Sequence, residues 1–256
     1  ALPAALEATT AALVVARFED ASAQRRLEQL QAGCDVLTAA AAADFEAERA
    51  DLFIEAVLRL RPSFEEVARE AEGAGQRAGA SAEMGVQATI ALATLYAEVG
   101  ASYSAAVAKH PGLLQLLLAT VSHPEPRVVL PVVGFWSRAG SAVLTAHAAA
   151  TQPLLAALMV AAQYPPNMDD RADLDDGFLD AKLELRAAVH TTVRTTLLGV
   201  EAAHDEAGAP GTDGAPTRVP SISSALLEAT GWLLCSARDD AAALTSHKRH
   251  LTDDAA

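Results

Sequence analysis

The chain is poor in aromatic residues, in cysteine and in basic residues, and each shortage excludes a class of protein. Phe, Trp and Tyr make up only 4% of the 256 residues, which argues against a sheet-rich fold, since strands favour aromatic side chains. Two distant cysteines, Cys34 and Cys235, cannot build a disulfide framework or a four-thiolate zinc site, and they fit a reducing compartment. The net charge of −14, from 19 basic and 33 acidic residues, would repel a phosphate backbone, so nucleic-acid binding is not expected.

Catalytic and targeting motifs are also missing. The sequence has no phosphate-binding P-loop, no Gly-x-Ser-x-Gly turn and no His-Glu-x-x-His pair, so we expect neither an enzyme nor a cofactor or metal site. The chain begins at Ala1 without a basic and then apolar leader, and no secretory signal is expected. Residues 139–168 carry no Asp, Glu, Lys or Arg, a run long enough to span a bilayer. Gly140, His147 and Pro153 interrupt it, and we predict two short buried helices meeting at Pro153 instead of a membrane span.

The sequence is rich in alanine and shows helical periodicity. Helix-forming residues recur at helical spacing along the whole chain, with 60 alanines and no strand-like alternation of useful length, which predicts an all-α fold. Residues 45–60 place Phe45, Leu52, Phe53 and Leu60 on one predicted helix face, and Pro62 follows. Residues 207–220 are rich in glycine and proline and predict a flexible loop.

An internal repeat gives the most information about architecture. Residues 112–124 read GLLQLLLATVSHP and residues 153–165 read PLLAALMVAAQYP, and leucines and a final proline coincide when the two are offset by 41 residues. A helix, a proline turn and a second helix recurring every 40–47 residues is the period of HEAT-type helical repeats. The repeat predicts an α-solenoid of HEAT-like hairpins, with Pro124 and Pro165 in equivalent turns and with Phe135 and Trp136 on the following helix, Trp136 being buried between neighbouring hairpins.

One polar cluster stands out in the acidic segment 169–176. Its carboxylates come from Asp169, Asp170, Asp173, Asp175 and Asp176, opposed only by Arg171. Two interpretations remain open, and calcium binding is a weaker third, because the spacing lacks the EF-hand pattern and its closing Glu. The cluster is either a solvated loop followed by the acidic start of the next helix, or a surface that attracts a basic partner in a salt-dependent way.

The central residues resemble the middle repeats of the importin-β family of nuclear transport receptors, most closely the SR-protein transportins and their importin relatives. The most specific part is His123-Pro124, then Arg127-Val128-Val129, then Phe135-Trp136 and Arg138. The family has a comparable "HP…VV…FWYRL" helix. The similarity is collinear over roughly residues 30–240 and also includes Asp175-Asp176-Gly177-Phe178 and the run from Ser224 to Ala229.

The resemblance implies a single HEAT-repeat superhelix over residues 1–256, a middle fragment of a receptor. Such a receptor binds protein cargo, in this branch Arg/Ser-rich, together with Ran GTPase in its GTP form and nucleoporin Phe-Gly repeats, and it shuttles between cytoplasm and nucleus. The family's Arg-rich cargo helix is missing from this chain, so no cargo residue is carried over. The acidic segment resembles the inter-helix segments that such receptors turn toward Ran or basic cargo. A HEAT-repeat scaffold outside transport is the alternative interpretation.

Overall fold

The structure is a computed structural model that describes residues 23–42, 47–74, 80–107, 109–164 and 176–207. Helices account for most of these residues, and no strand occurs among them. The prediction of an all-α fold is therefore confirmed for the described part of the chain. Alanine and unbranched side chains, which lose little freedom in a helix, are the physical reason.

The helices are numbered in chain order. Their bounds are α1 Ala23–Ala41, α2 Ala47–Leu58, α3 Arg61–Ala74, α4 Ala80–Ser102, α5 Ser104–Val107, α6 Pro111–Val121, α7 Pro126–Ala146, α8 Thr151–Ala161 and α9 Asp176–Ala207, with a 3-10 turn at Ala148–Ala150 between α7 and α8.

Prolines set several of the helix starts. Pro111 and Pro126 occupy the first turn of α6 and α7, where a missing N–H costs nothing. The prediction that two helices meet at Pro153 is wrong. Residues 139–146 complete α7, the chain turns at His147, and Pro153 lies in the first turn of α8, where proline is tolerated.

Four helices pack side by side in the order α1, α4, α7, α9. The first turns of α4 and α7 meet through Glu83 and Arg127, and residues farther along both helices meet through Glu98 and Arg138, so these two helices run parallel. Hydrogen bonds from Thr192 and Thr196 of α9 to carbonyls of α7 also progress in the same direction along both helices. Helices α7 and α9 are therefore parallel too.

Helices α2, α6 and α8 form a second row of successive contacts. The His110 imidazole, just before α6, lies 3.1 Å from the Asp51 carboxylate of α2. Gly112 of α6 packs beside Leu58 of α2. Between the rows, Leu117 of α6 lies against Gly100 of α4.

Equivalent helices in each row repeat one burial pattern. When residues 88–103 of α4 are compared with residues 128–143 of α7, offset by 40, the buried and solvent-facing positions coincide except at Ala97/Ser137 and Glu98/Arg138. The fully buried aromatics Tyr96 and Trp136 are one such equivalent pair. The pattern continues into α9 at a further offset of 53, which places Val189 at the position of Trp136.

The other row repeats in the same way. Residues 53–60 and 113–120, offset by 60, have the same sequence of buried and exposed positions. Residues 113–123 and 154–164, offset by 41, agree except at Leu116/Ala157. The two segments of the predicted sequence repeat therefore include the equivalent helices α6 and α8. Leu52 of α2 is 56% exposed, so its predicted place on the buried face is wrong.

The chain divides into two compact units, residues 1–203 and residues 204–256. All the contacts above lie within the first unit. The predicted loop 207–220 falls outside the described residues except for Ala207, the last residue of α9. A single superhelix over residues 1–256 stays a prediction.

Helix α7 is long and apolar enough to cross a membrane by length and composition. More than half of its apolar stretch is buried inside the fold, where Val132, Phe135 and Trp136 are fully covered. Packing against neighbouring helices therefore accounts for its apolar character.

Candidate functional site

The structure places the residues predicted as structural at the centre of α7 and in the turn before it. Phe135 and Trp136 are fully buried, and their rings meet edge to face with centroids 4.9 Å apart. Pro124 is exposed between α6 and α7. Pro165, Asp169, Asp170, Asp173 and Asp175 lie outside the described residues, and Asp176 is the first residue of α9.

An ion-paired face joins α4 to α7 at the beginning of both helices. The Arg127 guanidinium donates to both carboxylate oxygens of Glu83, at 2.8 and 3.2 Å, and to Glu125 at 2.8 Å. These hydrogen bonds hold the pKa of Glu83 below its usual range and raise the pKa of Arg127. Glu125 also accepts from the Arg127 backbone N–H and so caps α7. One arginine therefore links the start of α7 to the neighbouring helix.

A second pair lies farther along the same face. Arg138 of α7 donates to Glu98 of α4 at 2.7 Å, and both side chains are more than a third exposed. Half-buried uncharged residues lie between the two pairs, among them Thr94 and Gly134. Exposed pairs of this kind contribute at most about 1 kcal/mol each, so they fix the register of the two helices more than their stability.

The outward faces of α6 and α8 carry no charged side chain. Their exposed residues are Pro111, Gln115, Ala119, Gln152, Pro153, Ala156 and Val160, and Val160 is 60% exposed. Because charged residues make up 20% of the chain, an uncharged surface across two neighbouring helices is unusual for a solvated face. We call it the uncharged face; uncharged exposed surfaces of this kind are typical of contact regions.

The junction of α8 and α9 holds two buried cations. Lys182 donates to the Ala161 carbonyl at 2.5 Å, Arg186 donates to the Ala162 carbonyl, and the Arg186 guanidinium lies 4.2 Å from the centroid of the Tyr164 ring. These carbonyls close the last turn of α8 and have no donor within the helix. Burial, together with the charge of Arg186, lowers the pKa of Lys182 to about 8.

Cys34 is buried beside Tyr96 and is chemically quiet. Burial raises the pKa of the Cys34 thiol to about 12, and the thiolate, which is the reactive form, is therefore scarce at neutral pH. Among the described residues, no group of three or more His, Cys, Asp and Glu side chains is placed to hold a metal ion.

Sequence reasoning missed three of these features. Arg127 and Arg138 were singled out only for the family resemblance, and their ion pairs with Glu83 and Glu98 become apparent only when α4 packs on α7. Part of the uncharged face belongs to the charge-free run 139–168, for which the sequence suggested only the alternatives of a membrane span and buried helices. The burial of Lys182 could not be predicted from the sequence, because a lysine on a helix normally lies in solvent.

Comparison of this chain with protein-family models, with curated proteins and with solved structures finds no match.

Proposed function

We propose that the chain is an α-solenoid of HEAT-like hairpins and that it acts by binding other proteins. The observation that carries the proposal is the matched burial of successive helices, α2, α6 and α8 in one row and α4, α7 and α9 in the other. A repeat array buries each unit against its neighbours and leaves long outer faces free. Such faces serve recognition, and we infer a binding role in place of an enzymatic one.

Within that class, we propose a nuclear import receptor of the importin-β type. Residues that carry the family resemblance also join α4 to α7, which supports the proposal. Phe135 and Trp136 of α7 are fully buried in the core, and Arg127 and Arg138 of α7 form ion pairs with α4. Protein cargo and Ran-GTP would then compete by favouring different spacings of the helices, as linked equilibria require. The protein would shuttle between cytoplasm and nucleus.

We assign the uncharged face to nucleoporin Phe-Gly segments. These are uncharged apolar partners, and Val160 and Ala119 occupy equivalent exposed positions on neighbouring helices, 41 residues apart. A carboxylate placed there would have to be desolvated on binding. Val160→Asp should therefore weaken binding of a Phe-Gly peptide. Because Val160 is exposed, its cost in stability should be at most about 1 kcal/mol, from a carboxylate placed in the last turn of α8. A Ser-Gly peptide is the control, and equal binding of both peptides would contradict the assignment.

Ran binding tests the transport proposal directly. Fluorescence anisotropy would compare Ran loaded with a non-hydrolysable GTP analogue and Ran loaded with GDP across a salt series. The acidic segment is tested by changing Asp169, Asp170, Asp173, Asp175 and Asp176 to Ser. The matched control neutralises five exposed acids elsewhere, Glu28, Asp35, Glu55, Glu66 and Glu184, which gives the same change in net charge.

The outcomes separate the two candidate functions. Binding that is selective for the GTP form, weakens with salt and is lost in the segment variant but not in the control supports an import receptor with a Ran contact at the acidic segment. Selective binding that survives in both variants retains the receptor and removes the acidic segment from its Ran contact. Absence of binding to either form leaves two interpretations, a HEAT-repeat scaffold outside nuclear transport and a receptor fragment without its Ran-binding repeats, and it removes the acidic segment as a Ran contact strong enough to act alone.

A further inference from the structure

The outward faces of α4, α7 and α9 carry an aliphatic side chain at the same point of the repeat. By the offsets of 40 and 53, Ile90, Leu130 and Leu183 are equivalent, and each of them is half-buried. Helices packed side by side lie roughly 8–10 Å apart. Because the three helices run parallel in one row, these side chains form a line across them, which we call the aliphatic stripe.

An open depression lies beside the aliphatic stripe on α7. A Cβ added to Gly134, one turn after Leu130, would meet nothing within 4 Å. The residues equivalent to Gly134 are Thr94 of α4 and Ala187 of α9, so the neighbouring helices also carry small side chains at this point. The surface therefore has room for apolar side chains of a partner next to its own aliphatic ones.

The charge of this surface differs from one end to the other. Over α4 and α7 the two ion pairs described above neutralise the charges that border the depression. Over α9, Asp180 and Glu184 are exposed on either side of Leu183 in the sequence, and neither forms a salt bridge within the part of the chain that the structure describes. The cations of the same turns, Lys182 and Arg186, are buried against the end of α8. The α9 end therefore favours a basic residue of a partner, and the rest favours uncharged residues.

Pro131 leaves a backbone acceptor at the same surface. Proline has no N–H, so the Arg127 carbonyl has no donor four residues farther along α7. The equivalent residues Ala91 and Glu184 do have backbone N–H groups. An N–H group of a bound peptide backbone could donate to the Arg127 carbonyl, which favours a peptide as the occupant.

We propose that the aliphatic stripe binds a segment of a partner protein in polyproline II conformation, with aliphatic side chains at every third residue and a lysine or arginine at the α9 end. A polyproline II helix has three residues per turn and advances about 9 Å per turn, which matches the spacing of neighbouring helices. Its backbone makes no internal hydrogen bonds, so its N–H groups are available to the Arg127 carbonyl. The proposal rests on the protein-binding role inferred above; it involves neither Ran nor the uncharged face, so its failure leaves the tests of those contacts unaffected.

Fluorescence anisotropy of a labelled peptide with the complete chain tests the aliphatic stripe. The probe, Leu-Ser-Pro-Leu-Ser-Pro-Leu-Lys with blocked ends, carries leucine at every third position and a single lysine. We expect it to bind at least about tenfold more tightly than Ser-Pro-Leu-Leu-Leu-Ser-Pro-Lys, because only the spaced leucines can all be buried on successive helices. The second peptide has the same composition. Equal affinity for both peptides, or no detectable binding of the probe, would overturn the proposal.

The variant Gly134→Leu fills the depression from the protein side. It should remain folded, because the added side chain starts in free space and leucine forms helices better than glycine; circular dichroism checks this. We expect the affinity for the probe to fall by at least about tenfold, since the space for one leucine of the peptide is lost. The control Ala119→Leu adds a leucine at an exposed position of α6 in the other row and should bind the probe as the native chain does. Full binding by folded Gly134→Leu would overturn the proposal.

The basic end of the peptide is tested with the double variant Asp180→Asn with Glu184→Gln. At low salt the native chain should prefer the probe to the same peptide ending in Glu by about fivefold or more, and the double variant should lose this preference. The control, Glu55→Gln with Glu66→Gln, neutralises two exposed acids of α2 and α3 and should keep it. A preference that survives in the first variant would overturn the placement of the basic residue over α9.

Discussion

Gly100 of α4 lies close to buried side chains of α6 and α7. A Cβ added to this residue would lie 2.9 Å from Cε2 of Phe135 and 3.2 Å from Cδ1 of Leu117. Both neighbours are fully buried, so neither has room to move away. None of the described glycines has a positive φ, so Gly100 serves the packing and not an unusual backbone conformation.

Gly100→Ala should therefore lower the free energy of unfolding. Two effects oppose each other. Alanine in place of glycine inside a helix stabilises by roughly 0.5–1 kcal/mol, whereas forcing an extra carbon into a packed core costs about 1–3 kcal/mol. The crowding is the larger effect, and we expect a net loss of about 1 kcal/mol, the difference between the midpoints of these ranges.

Gly85 provides the matched control on the same helix. A Cβ at this position meets nothing within 4 Å, so only the propensity effect operates, and Gly85→Ala should stabilise by roughly 0.5–1 kcal/mol. Gly134 of α7 is equally open and should respond in the same direction. The opposite signs at Gly100 and Gly85 are the prediction.

Urea unfolding followed by helical circular dichroism measures these differences at equilibrium. A double-mutant cycle with Phe135→Leu adds a direct test, because a smaller side chain at 135 should reduce the cost of Gly100→Ala. If Gly100→Ala stabilises as much as Gly85→Ala does, or if the cycle gives no coupling, α4 and α7 do not approach as described and the reasoning fails.

Three further predictions concern the buried Trp136, the buried Lys182 and the ion pairs between α4 and α7. Trp136→Ala should cost roughly 3–5 kcal/mol in urea unfolding, since Trp136 is fully buried, and a near-neutral result would contradict its place in the core. Lys182 has a folded-state pKa of about 8 against an ordinary 10.5, so the unfolded chain binds more protons between these values and stability should rise with pH there. Lys182→Met should remove this rise and the penalty below pH 8, about 3 kcal/mol at most, and a parallel pH profile for the variant and the native chain would refute it. Arg138→Gln should cost at most about 1 kcal/mol and less at high salt, whereas Arg127→Gln, which loses two carboxylate partners, should cost more; the reverse order would contradict the geometry.

Sequence patterns were sufficient where one helix is read by itself. The alanine-rich composition indicates helices, and the two segments of the repeat at 41 residues include α6 and α8, which share one burial pattern. Leu52 shows the limit of such a reading, because an apolar residue beside a buried face can still lie in solvent.

Contacts between helices could not be predicted from the sequence. With an offset of 40 residues, α4 and α7 share one burial pattern but few residue types. Thr89 and Ala93, for example, correspond to Val129 and Val133. Buried positions in a helix array need the right volume more than a particular residue. The burial of Lys182 and Arg186 in α9 could not be predicted either, because periodicity does not distinguish a buried lysine or arginine from a solvated one.

The offsets between equivalent helices locate where the repeat tolerates extra chain. From α6 to α8 the offset is 41 residues and from α7 to α9 it is 53, so the connection from α8 to α9 has 53 − 41 = 12 more residues than the connection from α6 to α7. From α2 to α6 the offset is 60, and the additional residues include α3. Both expansions fall between a helix of the second row and the next helix of the first row. In the proposed α-solenoid, insertions of this kind would extend loops on one face of the array, often the binding face. Residues 169–175 of the acidic segment fall in the connection from α8 to α9 in the sequence, and Asp176 is the first residue of α9.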